Sequence, residues 1–292
     1  MGHRLGVADG VPGGENFLMQ IGFSSYSGAD FLVFYVALLV AAVLASVFIE
    51  NRLRPEGSDT RPEDAEVLAM LGGGPKRFTD AVLASLFARG DLAVIDRKLE
   101  RGVNAEGETE AERALIRSAE GMGWKDAVSA LAAHADAAER WLVERHLLMT
   151  SDERTRLRSL SLAPFGALLL IGLFRRQAGV AEGEPTGFLT MLLVLTVVLA
   201  IIRWARFNPR TEAGDKALHS AKSSAERLRI APRASEAGLA VGLFGTAVLV
   251  GTPYSELHAM RQQTGGGDGG GGGDGGGDGG SGCGGGCGGC GG

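Results

Sequence analysis

The chain has 292 residues, 45 % of them hydrophobic and 22 % charged, with a net charge of −5. That length holds one large domain or two ordinary ones, and the charge balance excludes the strongly basic block of a nucleic-acid-binding chain. All three cysteines lie in the last ten residues, so no disulfide framework staples the rest.

Residues 1–30 carry little positive charge and are expected to form a short extracytoplasmic N-terminus. The first element is "FLVFYVALLVAAVLASVFI", Phe31 to Ile49, which has no charged residue. As a helix it reaches roughly 28 Å, close to the ~30 Å hydrocarbon layer of a bilayer. A cleaved signal peptide has a shorter apolar region close behind a basic start. Here Arg52, Arg54 and Arg61 come after the run. The positive-inside bias therefore predicts an N-terminus outside and the following chain in the cytoplasm.

Residues 50–158 read as a cytoplasmic helical region. "TRPE" (Thr60 to Glu63) has the form of a capping box and predicts a helix running to about Leu71, stopped by "GGGP". "KRFTDAVLASLFAR" predicts a second helix with Phe78, Val82, Leu83 and Leu86 inward, terminated by Gly90. "DLAVID" alternates as a short strand does, and "TEAE" (Thr109 to Glu112) opens another helix with a capping box. In "WKDAVSALAAHADAAERWLVE", Trp124, Val128, Leu131, Ala135, Ala138 and Trp141 or Leu142 form one packing stripe. His134 and His146 have no partner at metal-ligand spacing.

One pattern recurs. "SLFARGDLAVIDRKLERG" and "RWLVERHLLMTSDERTRLR" both read as helix end, short apolar strand, charged turn. Helix, helix, strand and charged turn outline a winged-helix-like module. DNA binding is not expected of it. Residues 50–158 hold 21 acidic and 17 basic side chains, and the helix that would enter a groove is mostly apolar with Asp80 in its first turn, whereas phosphate contacts need a cationic face.

Two further runs, Leu160 to Phe174 and Phe188 to Ile202, predict a transmembrane hairpin over 159–203. Arg154, Arg156 and Arg158 precede it, and Arg203, Arg206 and Arg210 follow it. Arg175 and Arg176 at the outer tip run against the positive-inside rule. Residues 204–262 read as cytoplasmic juxtamembrane helices, with Leu218, Ala221, Ala225 and Leu228 at helical spacing. Their cations suit either anionic lipid headgroups or docking on the 50–158 region. Ala237 to Ser255 is uncharged, but rich in Ala, Gly and Thr. An apolar helix packed on the cytoplasmic part is favoured over a fourth span.

Residues 263–292 are almost entirely glycine, with Asp268, Asp274 and Asp278 interspersed and Cys283, Cys287 and Cys290 at the end. Glycine loses the most entropy on ordering, so a disordered tail with an end-to-end distance of about 30 Å is expected. The C-x3-C-x2-C spacing lets three thiolates converge on a metal, but no fourth ligand of the usual closed zinc site is nearby. Thiol redox chemistry, or modification of the glycine-flanked cysteines by another enzyme, is an alternative use.

"AEVLAMLGGGPKRFTDAVLASLFARGDLAV", "RWLVERHLLM", the hairpin, "NPRTEAGDKAL", "LFGTAVLVG" and the Gly/Cys tail together resemble a family of bacterial membrane proteins of unknown function. That family is defined by a shared domain ahead of a low-complexity, glycine- and cysteine-rich C-terminus. The likeness covers nearly the whole chain from Phe31. More distantly, the chain is similar to a membrane family whose cytoplasmic winged-helix-like part is interrupted by a membrane hairpin, which supports three spans. Neither resemblance implies an activity, a substrate or catalytic residues.

The sequence therefore predicts a mainly α inner-membrane protein with about three spans, a cytoplasmic helical module and a disordered tail. No nucleophile–base pair and no phosphate-binding loop is present, so a non-enzymatic interaction or scaffold protein without a cofactor is expected. Its partners would be the lipid bilayer and an unknown protein, not nucleic acid.

Overall fold

In a computed structural model of the protein, residues 28–96, 98–181 and 187–264 are described. The chain divides into two compact units. One is built from the segment up to Leu53 together with Arg156–Trp204, the other from Arg54–Thr155 together with the chain from Ala205 onward. The second unit is thus discontinuous in sequence, with the hairpin inserted into it.

The first unit holds three helices, α1 (Gly28–Leu53), most of α6 (Ser151–Ala181) and α7 (Gly187–Ala205). Among the described residues these are the three long and apolar enough to cross a membrane. Their inner faces meet at Tyr35, Leu39, Phe165, Leu168, Leu189 and Leu193. Gly172 makes the close approach possible: a Cβ there would lie 2.7 Å from Leu193 and 2.8 Å from Tyr35. Small residues of this kind let membrane helices pack backbone to backbone. The buried Tyr35 hydroxyl meets Thr196 Oγ1 at 3.2 Å and donates to the Leu168 carbonyl at 3.5 Å. At one end Arg175 lies over the Phe31 ring, 5.7 Å from its centre. At the other, Arg203 donates to Ser46 Oγ at 2.8 Å and pairs with Glu50.

Both hairpin helices outrun the apolar text that announced them. α6 starts at Ser151 and takes in Arg154, Arg156 and Arg158, and at its far end it continues through Arg175 and Arg176 to Ala181. At 31 residues it extends about 46 Å. The polar stretch after Phe174 is therefore helical up to Ala181. Arg175 and Arg176, the exceptions to the charge rule, are both engaged: Arg176 Nε donates to Thr190 Oγ1 at 3.2 Å.

The second unit is helical apart from one hairpin. α2 (Ala65–Arg89) is two helices joined at a break, where Gly73 (φ −159°) and Gly74 (φ 70°) leave helical geometry ahead of Pro75. The predicted stop at "GGGP" is this break. The predicted start is displaced. Asp64, not Thr60, caps the helix by accepting from the Glu66 amide at 2.9 Å. A Thr60 cap would need Arg61 helical, and Pro62 disfavours that conformation in the residue before it. α2 ends as expected at Gly90, in the left-handed region at φ 77°.

β1 (Leu92–Ile95) and β2 (Lys98–Arg101) form an antiparallel hairpin, and Leu99 also bridges to Met122. α3 (Glu110–Ser118) begins with the Thr109/Glu112 capping box. The Trp124 stripe is helical but broken at Leu131 into α4 (Trp124–Ala130) and α5 (Ala132–Glu144). Trp124, Leu131, Ala135 and Leu142 are buried, while Val128, Ala138 and Trp141 are half-buried.

The second copy of the recurring pattern is not a hairpin. Leu147, Leu148 and Met149 are buried, but they pair with a distant segment: Leu148 bridges to Arg210, and the Met149 amide donates to the Pro209 carbonyl at 2.9 Å. The charged run after them is the first part of α6.

α8 (Glu212–Ser224) and α9 (Arg227–Ile230) follow. Leu218 and Leu228 are buried, and Leu218 joins the same apolar core as Phe78, Leu86, Leu115 and Leu142. The fourth uncharged stretch is a short helix, α10 (Ala237–Phe244), ended by Gly245 (φ 88°), then one 3-10 turn, Thr246–Leu249. Val241, Leu243 and Leu249 belong to the core of this unit. The last helix, α11 (Ser255–Thr264), buries Leu257 and Met260 in the same core.

Candidate functional site

Cys283, Cys287 and Cys290, the predicted thiol cluster, lie outside the described residues. Among the described residues no group of three or more His, Cys, Asp or Glu side chains could hold a metal ion. His134 is half-buried on α5, and His146 is exposed in a tight turn at φ 53°. What the second unit brings together are three segments distant in sequence: the glycine break in α2, the "NPRTEAGD" segment ahead of α8, and α10.

Breaking α2 after Gly72 leaves carbonyls of its last turn without helical partners. Arg210, from the "NPRTEAGD" segment, supplies the missing donors. Its Nε donates to the Leu71 carbonyl at 2.6 Å and its Nη2 to the Gly72 carbonyl at 2.5 Å. Asp215 faces the same guanidinium at 3.5 Å, accepts from Asn208 Nδ2 at 3.0 Å and pairs with Arg54 at 2.5 Å. Thr211 caps α8 by accepting from the Gly214 amide and donates to the His146 carbonyl at 2.7 Å. A Cβ on Gly214 would lie 2.1 Å from the Leu147 carbonyl oxygen, so glycine alone fits there. Asn208, Arg210, Thr211, Gly214 and Asp215 of this segment thus each have a structural task.

α10 spans the break. Gly238 sits against Ala81 and Ser85 on one side of it and Gly242 against Ala65 and Ala69 on the other; added Cβ atoms would meet these neighbours at 2.7 to 3.2 Å. The spacing of four residues puts both glycines on one helical face. From the far half of α2, Arg77 Nη1 donates to the Val241 carbonyl at 3.5 Å.

Two buried polar clusters flank this core. Asp80, 4 % exposed, accepts from Trp124 Nε1 at 2.8 Å and from Arg261 Nε at 3.3 Å. The Arg261 guanidinium lies 4.2 Å from the centre of the Trp124 ring. Burial raises the Asp80 pKa above its ordinary value, opposed by Arg261, the Trp124 hydrogen bond and Arg77. In the second cluster Arg89 bridges Asp91 at 2.8 Å and Glu112 at 2.6 Å. Burial works against the charge on Arg89, but these carboxylates outweigh it and raise its pKa. Glu66 accepts from the Thr109 hydroxyl at 2.5 Å. Its pKa is raised, chiefly by burial and further by Asp64 and Glu112, against the Thr109 hydrogen bond.

These clusters consume their own charges: each buried acid has a cation or donor facing it. None of the contacts described pairs a hydroxyl or thiol nucleophile with a histidine base, apart from Thr246, whose hydroxyl meets His258 Nδ1 at 3.0 Å while Gln262 sits at 2.9 Å from Nε2. Among the described residues, no carboxylate makes a hydrogen bond or ion pair with that histidine. Among the described residues, the buried polar groups of these clusters hold the elements of the second unit together. Sequence reading missed the roles of Arg210, Asp215 and Arg261 because the Leu71 and Gly72 carbonyls, Arg54 and Asp80 that they meet lie more than a hundred residues away. No family model, curated protein or solved structure matches the chain.

Proposed function

We propose that the protein is an integral membrane protein of the inner membrane, with a non-enzymatic interaction or scaffold role. Its N-terminus would lie outside, and its second unit would be presented to a protein partner in the cytoplasm. The observation that carries the reading is the exposure of the three long helices. Only 22 %, 28 % and 17 % of their apolar windows are buried, so the outward faces need an apolar solvent. Arg52 beyond the end of the α1 run and Arg158 stacked on Trp204 at 4.2 Å suit the inner interface, where cations and tryptophans gather. The helix, helix and hairpin order of Ala65–Arg101 supports a winged-helix-like module as part of the proposal, and membership of the bacterial Gly/Cys-tailed membrane family belongs to it as well.

A reporter fused at residue 100 tests the topology, with activity only from a cytoplasmic-type reporter expected. Signal from an extracytoplasmic reporter there would refute it. A second reading rests on the C-x3-C-x2-C tail, whose thiols would bind metal, undergo redox chemistry or be modified. Full-length protein and a form lacking residues 281–292 should then differ in bound zinc or copper, or in thiol state. Equal metal content and equal oxidation would end that reading.

A further inference from the structure

We propose that the cleft between the end of β2 and α3 binds a phosphate-type oxyanion. Its lining brings Arg101, Arg113 and Arg117 around an apolar floor of Ala105 and Ile116, in an open hollow of about 370 Å³. Glu106 is the one acid among the lining residues. Among the described residues, none of the three guanidiniums makes an ion pair; Arg113 donates only to the Glu108 carbonyl, at 2.9 Å.

Helix stability does not account for placing the three charges together. Arg113 and Arg117 stand four apart on one helical face, where like charges repel and weaken the helix. Arg117 alone is explained by its place in the last turn, opposite the negative end of the helix dipole. Arg101 arrives from a different element and adds to the same field. Elsewhere in this unit the arginines Arg54, Arg89, Arg210 and Arg261 are each matched to a carboxylate. A cluster left unmatched over a hollow fits an anion whose oxygens take several planar guanidinium donors at once.

The wall of the hollow is also held in place. Gly102 donates to the Asp91 carbonyl at 2.8 Å, and the Glu106 amide donates to Asp91 Oδ1 at 3.2 Å. Asp91 is itself fixed by Arg89. Gly107 lies so close to α3 that a Cβ would sit 2.6 Å from the Arg113 amide nitrogen. The Arg89 cluster thus fixes the loop that closes one side of the cleft, so little ordering is needed on binding.

The phosphate can come from a soluble compound or from a lipid headgroup, and two arms separate these. In the first, the full chain in neutral detergent micelles is titrated with inorganic pyrophosphate by calorimetry. In the second, the full chain in nanodiscs of phosphatidylcholine, with or without phosphatidylglycerol, is followed by hydrogen exchange over residues 98–118. The double substitution Arg113→Gln with Arg117→Gln should weaken pyrophosphate binding at least tenfold, since charge-assisted hydrogen bonds are the strong ones. The Lys pair at the same positions should recover part of it, and Arg229→Gln, on α9, should change nothing. An unchanged melting temperature shows that the fold is kept. Protection of residues 98–118 by phosphatidylglycerol alone, lost in the double variant, would identify the headgroup as the source. Silence in both arms, or binding indifferent to the double substitution, overturns the proposal.

Discussion

The two units solve opposite problems with similar helices. In the first, large apolar side chains point away from the bundle: Val33, Leu170, Phe188 and Met191 are each more than 70 % exposed. In the second, Phe78, Leu83, Leu86 and Leu115 are all but inaccessible, turned into a core of their own. The lesson is that helix content says little about environment; the sorting of side chains across each helix says which solvent it expects.

The contrast can be broken most severely in the core of the second unit. Leu86→Ala removes a fully buried side chain and should cost about 2–5 kcal/mol, read as a lowered denaturation midpoint of the full chain in detergent. The first unit should be sensitive on its outside instead. Val194→Asp, at a position 59 % exposed on α7, should cost about 3 kcal/mol in a membrane-integration assay. Val103→Asp, fully exposed beyond β2, should cost under about 0.5 kcal/mol in denaturation. Equal tolerance at Val194 and Val103 would erase the distinction between the units.

A finer comparison uses pH. Glu66 and Asp80 have raised pKa values, so the folded unit holds their protons more firmly than the unfolded chain. Their favourable contribution is complete below the ordinary values of 4.5 and 3.8 and is lost as pH rises through the folded ones. Glu66→Gln should therefore gain on the parent as pH rises from 4 toward neutrality, measured as the difference in melting temperature. The smallest effect belongs to the exposed Lys216–Glu212 pair. Lys216→Ala should shift stability by no more than about 0.5 kcal/mol.

The sequence made local features readable and distant ones invisible. Charge-free runs marked the three long helices, "TEAE" marked the start of α3, and Gly90 marked the end of α2. Thr60 misled because a capping pattern is read without asking what Pro62 does to Arg61. The second apolar run, Leu147 to Met149, looked like its counterpart at Leu92 because both are short and flanked by charge. Their different fates depend on Pro209 and Arg210, which local periodicity does not encode. The arginine cleft was hidden for another reason: over residues 50–158 acids outnumber bases, and only folding gathers Arg101 onto the face of α3.

The insertion of the hairpin within the second unit sets an order of events during synthesis. When Thr155 has left the ribosome, Leu71 and Gly72 still lack Arg210, and the groove along α2 lacks α10. Both arrive only after the intervening helices have been made and delivered to their own solvent. At roughly 5–20 residues per second the incomplete half waits several seconds with its apolar surface uncovered. Such a chain invites a holding factor during that interval, and a stall between the two halves would strand it there.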